Sequence, residues 1–84
     1  MALRINPRVA WQMVAGEAVL IDLDRGHVLG LNDTGSFLWK RLTERSEAEL
    51  AIDLAAHFDV DAARAQADVQ AFLADLRTRG YLLD

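Results

Sequence analysis

The chain has 84 residues, enough for one small domain, and we expect that domain to span residues 1–84. It contains no cysteine, which excludes disulfides and thiolate metal sites, and its 52% hydrophobic and 26% charged residues exclude wholesale disorder. The net charge is −4, and residues 46–84 hold three basic and eight acidic residues, a balance that argues against nucleic acid as a partner of the C-terminal half.

The N-terminal region is predicted to contain an arm and a first strand. Residues 1–8 are expected to form a flexible arm, because Asn6-Pro7 disfavours helix. Residues 9–14 suit a strand. The uncharged stretch over residues 9–16 is too short for a transmembrane helix or a signal peptide. We therefore expect a cytoplasmic, soluble protein with no membrane partner.

Alternating apolar residues predict two further strands, over residues 17–23 and 27–31. A three-residue turn at Asp24-Arg25-Gly26 would join them, because Gly26 can adopt positive φ. The register expected from this turn pairs Leu23 with His27, Ile21 with Leu29, and Val19 with Leu31. The odd-numbered side chains would then face the core. Gly30 would lie on the other face, where it would either allow another backbone to approach closely or form a local bend before the helix.

Helical periodicity begins near residue 32 and predicts three helices, over residues 33–44, 47–58 and 62–79. Asn32, Asp33 or Thr34 would cap the first helix, and Gly35 in its first turn would permit close packing. Ser46 and Glu49 form a capping box before the second helix. Three strands followed by three helices predict an α+β fold, in which the first and third strands are the edges of the sheet. The third strand has no lysine or proline to block pairing at its edge.

The residue types that carry chemistry are not grouped in a catalytic pattern. His57 with Asp59 and Asp61 is the one candidate metal cluster, and its position at a helix end accounts for it without a metal. The glycines form no phosphate-binding loop. We therefore expect no enzyme activity, no metal and no cofactor. One remaining hypothesis is that the edge of the third strand accepts an extended peptide beside the third helix.

Two parts of the chain have a distinctive order and spacing: Val19-Leu-Ile-Asp-Leu-Asp-Arg-Gly-His-Val-Leu-Gly-Leu-Asn32 with Thr34-Gly35 and Leu38-Trp39, and Asp68-Val69 with Phe72-Leu73, Leu76 and Gly80-Tyr81-Leu82. Together they resemble the PqqD-like family, the RiPP recognition elements of ribosomal peptide maturation, over about residues 9–83. The implied fold is a winged helix-turn-helix-like unit. The Asp24-Arg25-Gly26 turn departs from the Pro-Glu-Gly type of coenzyme PqqD, and the pattern looks more like the stand-alone elements of lasso-peptide clusters.

The resemblance implies a non-catalytic protein that binds the leader of a precursor peptide as an added strand. It also implies delivery of that peptide to a separate leader protease, cyclase or radical SAM enzyme. The implied binding residues lie on the third strand and the third helix: His27, Val28, Leu29, Gly30, Leu31, Ala65, Asp68, Val69, Phe72, Asp75, Leu76 and Arg79. Spacing does not separate the core residues of the helix from those of the groove. Asp75 and Arg79, four residues apart, would pair with each other or with leader charges.

Two other functions remain open on the residues. A winged-helix DNA-binding protein would need a basic recognition helix, whereas the second and third helices are net acidic. A structural subunit could form a homodimer by pairing edge strands between copies, and this role is compatible with peptide binding.

Overall fold

A computed structural model describes residues 3–83 as a three-stranded antiparallel sheet followed by three helices. The elements are β1 (Val9–Val14), β2 (Glu17–Asp22), β3 (His27–Gly30), α1 (Asp33–Arg41), α2 (Glu47–Phe58) and α3 (Ala62–Thr78). The strand order is β1-β2-β3, so the central strand is β2 and the two edges are β1 and β3. This confirms the predicted α+β fold.

The turn between β2 and β3 is longer than predicted, and this changes the register. Asp22 pairs with His27, so four residues form the loop, and the Gly26 N–H donates to the Asp22 carbonyl at 2.8 Å. The Asp22 side chain, only 6% exposed, accepts the N–H groups of Asp24 and Arg25 at 3.0 and 3.1 Å. Because the Asp22 carboxylate accepts these two N–H groups, it stabilises the four-residue turn over the predicted three-residue turn. The predicted pairing of Leu23 with His27 is therefore wrong by one residue.

The one-residue shift exchanges the two faces of β2, whereas Leu29 and Leu31 face the core as predicted. The even-numbered side chains of β2 face the helices, and Ala18 and Leu20 have no exposed surface. Leu20 pairs with Leu29, whereas Val19 pairs with Gly30 on the opposite face. The prediction that the odd-numbered residues of β2 form the core is therefore wrong.

The helices begin at the predicted capping residues. The Asn32 side chain accepts the Gly35 N–H, and the Ser46 and Glu49 side chains form the reciprocal capping box. The Asp61 side chain caps α3, which stops before Gly80 at φ +79°. The largest difference is in α1, which ends at Arg41 rather than near residue 44.

One apolar core lies between β2 and the three helices. Its fully buried large side chains come from all of these elements: Leu20, Leu38, Trp39, Leu42, Leu50, Leu54, Val69, Leu73 and Leu76. Burial of such side chains contributes about 1.5–3 kcal/mol each, which makes them the main stabilising contacts of so small a domain.

The N-terminal segment packs against the C-terminal one. Leu3 is buried, Ile5 forms a bridge with Leu82, and the Leu83 N–H donates to the Arg4 carbonyl at 2.9 Å. The expectation of a flexible arm over residues 1–8 is thus corrected for residues 3–8, because apolar burial and backbone bonds hold them. Residues 1 and 2 lie outside the described part of the chain.

Candidate functional site

The outer edge of β3 presents unpaired backbone groups. The Leu31 N–H donates to the Ala18 carbonyl at 2.9 Å, so odd-numbered residues of this strand point their backbone groups towards β2. Because bonding direction alternates along a strand, Val28 and Gly30 point their N–H and C=O groups outward. Within residues 3–83 no strand pairs with this edge. It can therefore accept one more strand.

A groove of about 480 Å³ lies between this edge and α3. Leu29 and Leu31 pack against the core from β3 and its extension, and half-buried Phe72 packs against it from α3. The groove is lined by Leu29, Gly30, Leu31, Asn32, Thr34, Gly35, Leu38, Arg64, Asp68, Ala71, Phe72 and Asp75. An apolar floor beside a free strand edge suits an extended peptide whose alternate side chains point into the groove.

Gly35 sets the depth of the groove at the start of α1. A Cβ atom at this position would lie 3.3 Å from Phe72 Cε1, from Leu31 Cβ and from Asn32 Oδ1. These separations are below ordinary van der Waals contact, so the missing side chain lets α3 approach α1 closely. The expected close packing at Gly35 is confirmed, and the glycine also lines the groove.

The α3 wall carries opposite charges on either side of Phe72. Arg64 lies 3.6 Å from Asp68, and Arg79 donates to Asp75 at 2.9 Å. The hydrogen bond from Arg79 to the Asp75 carboxylate, together with its charge, raises the pKa of Arg79. Asp75 and Arg79 thus pair with each other, and both aspartates that line the groove have an arginine neighbour.

The family model described as Coenzyme PQQ synthesis protein D (PqqD) matches residues 17–82. The chain belongs to the PqqD family. Two similar solved structures are TbiB1 in complex with the TbiA(beta) leader peptide and a lasso peptide synthetase B1 complexed with the leader peptide. The TbiB1 chain is 29% identical, with a TM-score of 0.88 over 94% of this chain and 93% of that one. The synthetase B1 chain is 27% identical, with a TM-score of 0.91 over 100% of both chains. Among curated proteins there is no match.

The structure of this PqqD-family protein separates the site residues expected on α3. Ala65, Val69 and Leu76 have no exposed surface and belong to the core, so their assignment to the binding site is corrected. Asp68, Phe72 and Asp75 line the groove. The helical period explains this division, because the two sets lie on adjacent stripes of α3.

The remaining expected residues lie at the borders of the groove. His27 and Val28 are exposed on the strand edge, and the Val28 side chain points to the face of the sheet away from the helices. Arg79 lines a second cavity, of about 200 Å³, together with Asp22 and Tyr81. Arg79 therefore borders the groove through its bond to Asp75 rather than lining it.

Six groove residues were not predicted: Asn32, Thr34, Gly35, Leu38, Arg64 and Ala71. Arg64 and Ala71 lie four residues before and three after Asp68, so helical spacing could have indicated them. The others surround the start of α1, and their relation to α3 depends on the tertiary packing.

Two arginines at the hairpin that would be the wing of a DNA-binding protein are paired with its aspartates. Arg8 contacts Asp24 at 2.9 Å, and Arg25 lies 4.0 Å from Asp22. Residues 3–83 hold no group of three or more potential ligand residues that could bind a metal ion. The same residues contain no helix that meets the length and hydropathy needed to span a bilayer.

Proposed function

We propose that this protein binds the leader segment of a ribosomally synthesised precursor peptide as a fourth strand on β3. The observation that carries this proposal is the free edge at Val28 and Gly30, directly beside the groove against α3. The leader-peptide complexes of the two similar structures support it. No observation on the described residues favours DNA binding over this role.

The backbone of the leader would supply general affinity. An antiparallel strand exchanges two N–H···O=C bonds at each outward-facing residue, so Val28 and Gly30 together offer four. Each such bond contributes about 0.5–1.5 kcal/mol net. Main-chain bonding is indifferent to sequence, and specificity must therefore come from the groove.

The groove would select an apolar leader side chain with charged neighbours. Leu29, Leu31 and Phe72 offer apolar contact to a residue that points between β3 and α3. Asp68 and Asp75 stand on either side of Phe72, with side chains that are partly exposed. A basic leader residue next to the apolar anchor would thus find a carboxylate within the groove.

The proposed role is that of a non-catalytic partner that presents the precursor to a separate maturation enzyme. A leader protease, a cyclase and a radical SAM enzyme are the enzyme classes that this role would serve. Binding of the leader alone leaves the remainder of the precursor accessible to such an enzyme.

The test is a titration of ¹⁵N-labelled protein with a synthetic peptide that has the leader sequence of a precursor encoded beside this chain. We expect the largest amide shifts at Val28, Gly30 and the groove side of α3. A scrambled peptide of the same composition is the control. Shifts confined to β1 and α2, with β3 and α3 unchanged, would contradict the assigned site, and no binding of the leader would contradict the function.

A further inference from the structure

The first strand leaves large apolar side chains uncovered. Trp11 is 44% exposed, Met13 38% and Val14 47%, whereas Val9 at the start of the strand is buried. Trp11 and Met13 pair with Leu20 and Ala18, so they lie on the face that the helices cover elsewhere. The Trp11 ring makes an edge-to-face contact with the buried Trp39 ring, with ring centroids 6.0 Å apart. This side of the sheet extends beyond the helical layer.

The backbone of β1 is also open on its outer side. The Leu23 N–H donates to the Arg8 carbonyl at 2.9 Å, so even-numbered residues point their backbone groups towards β2. By alternation, Trp11 and Met13 present their N–H and C=O groups outward. In the part of the chain that is described, β1 has β2 as its one partner strand.

The usual protections of an edge strand are missing from β1. Residues 9–14 include no charged residue and no proline, and their pairing with β2 is continuous without a bulge. Six uncharged residues at a free edge, among them Val9, Trp11 and Val14 of high strand propensity, form a template for another strand. Such an edge is expected to be covered in solution.

We propose that two copies of this chain pair through β1, antiparallel, about a twofold axis at Gln12. This register places Trp11 opposite the second copy's Met13, and the reverse, so that both outward-facing residues of each strand form bonded pairs. Four backbone hydrogen bonds result, and each indole meets a thioether, a favourable contact.

The neighbouring register is less favourable. A twofold axis at Trp11 would bring Val9 opposite Met13, but the Val9 N–H already donates to the Asn6 carbonyl at 3.0 Å. By symmetry, both Val9–Met13 pairs of the dimer would lack this donor. The axis at Gln12 uses only groups that are free.

A second copy of this chain is a suitable partner for β1. The strand is uncharged, so two identical edges meet without like charges opposite each other. An isologous contact also closes after two copies, which prevents further growth at this edge. Because the contact is essentially one strand from each copy, its area is at the small end of specific interfaces, and we expect a dimer that depends on concentration.

The dimer would form a continuous six-stranded sheet with a β3 edge at each end. The proposed leader groove lies on the far side of β2 from β1, so both grooves stay open. This inference is independent of the proposed function, because it needs no peptide.

The test is sedimentation of the full chain over a concentration series, with the monomer mass of 9.3 kDa as the reference. We expect the weight-average mass to rise towards twice this value. Gln12→Lys and Gln12→Glu should each keep the protein monomeric, because two like charges would face each other at the axis about 4.5 Å apart between Cα atoms. An equimolar mixture of the two variants should recover the dimer through opposite charges.

Two controls make the result specific. Gln12 is exposed in the single chain, so both variants should retain the thermal unfolding temperature of the dilute parent protein. Val28→Lys, on the β3 edge, should leave dimerisation unchanged. Tryptophan emission should shift to the blue as concentration rises, because Trp39 is already buried and Trp11 is the indole that changes environment.

The proposal is overturned by a mass of one chain at all concentrations, or by failure of the mixed variants to recover the dimer. It is also overturned if Val28→Lys abolishes dimerisation while Gln12→Lys does not, since the copies would then pair through β3.

Discussion

Replacement of Val28 by proline tests whether β3 binds the leader through its backbone. The Val28 N–H points away from β2, so its loss removes no bond of the sheet. The side chain is 68% exposed, and truncating it removes little buried surface. Proline is tolerated at an edge when its nitrogen faces solvent. The free energy of unfolding should therefore change by less than about 1 kcal/mol.

The effect on binding should be larger than the effect on stability. One lost N–H···O=C bond costs about 0.5–1.5 kcal/mol net, which weakens binding from about twofold to about tenfold. The proline ring also occupies the space in which the leader backbone would lie, so we expect a loss of at least tenfold. Val28→Ala keeps the donor and should bind within about twofold of the parent protein.

Fluorescence anisotropy with a labelled synthetic leader measures the affinity, and urea unfolding measures the stability of the same samples. Leu29→Pro is a contrasting variant, because its N–H faces β2 and its loss should reduce stability directly. A Val28→Pro affinity equal to that of the parent protein would refute backbone pairing at β3. An equal loss of affinity in Val28→Pro and Val28→Ala would instead indicate that the Val28 side chain carries the contact.

Three further predictions concern the groove and the turn. Phe72→Ala should weaken leader binding by tenfold or more and lower the free energy of unfolding by about 2 kcal/mol, since the ring is half-buried and lines the groove. Calorimetric titration measures the affinity and urea unfolding the stability. Unchanged affinity would remove Phe72 from the site. Gly35→Ala should reduce the affinity for the leader about tenfold, because the added Cβ displaces Phe72. Titration of the leader into Gly35→Ala and into Thr34→Ala measures this difference. Burial opposes ionisation of Asp22, but N–H donation from Arg25 and Asp24 outweighs it and lowers the pKa of Asp22 below 3.8. The ionised Asp22 carboxylate therefore stabilises the fold at pH values above 3.8, and this stability is lost as the pH falls through the lowered pKa. Asp22→Asn should flatten the acid limb of the curve of unfolding free energy against pH. An unaltered acid limb would contradict this.

The sequence predicted the elements well because their local signals are strong. The capping side chains of Asn32, Ser46 and Asp61 each satisfy backbone donors within three residues, so short-range pattern is sufficient. The register of β2 and β3 failed for the opposite reason. Asp22 can serve as a strand residue or as the acceptor that organises the turn, and its burial against Tyr81, far away in sequence, favours the second role.

The candidate site was predictable in outline and not in detail. The resemblance led to β3 and α3, but Ala65 and Val69 have the same spacing as the groove residues and differ only in what covers them. Gly35 lines the groove because Phe72 packs 3.3 Å from its missing Cβ, a relation between two helices that lie far apart in sequence. Such contacts arise from tertiary packing, which no local pattern contains.

The two edges of the sheet differ in a way that suits two different partners. At β3 a groove lies between the strand and α3, so an added strand gains side-chain contacts and can be selected by its sequence. At β1 the helices stop short of the strand, and Trp11 and Met13 project beyond them. A strand added at β1 gains side-chain contacts mainly if it also carries exposed apolar residues, and β1 of a second copy does. The groove beside β3 and the uncovered apolar side chains of β1 therefore account for peptide binding at one edge and for the self-pairing expected at the other.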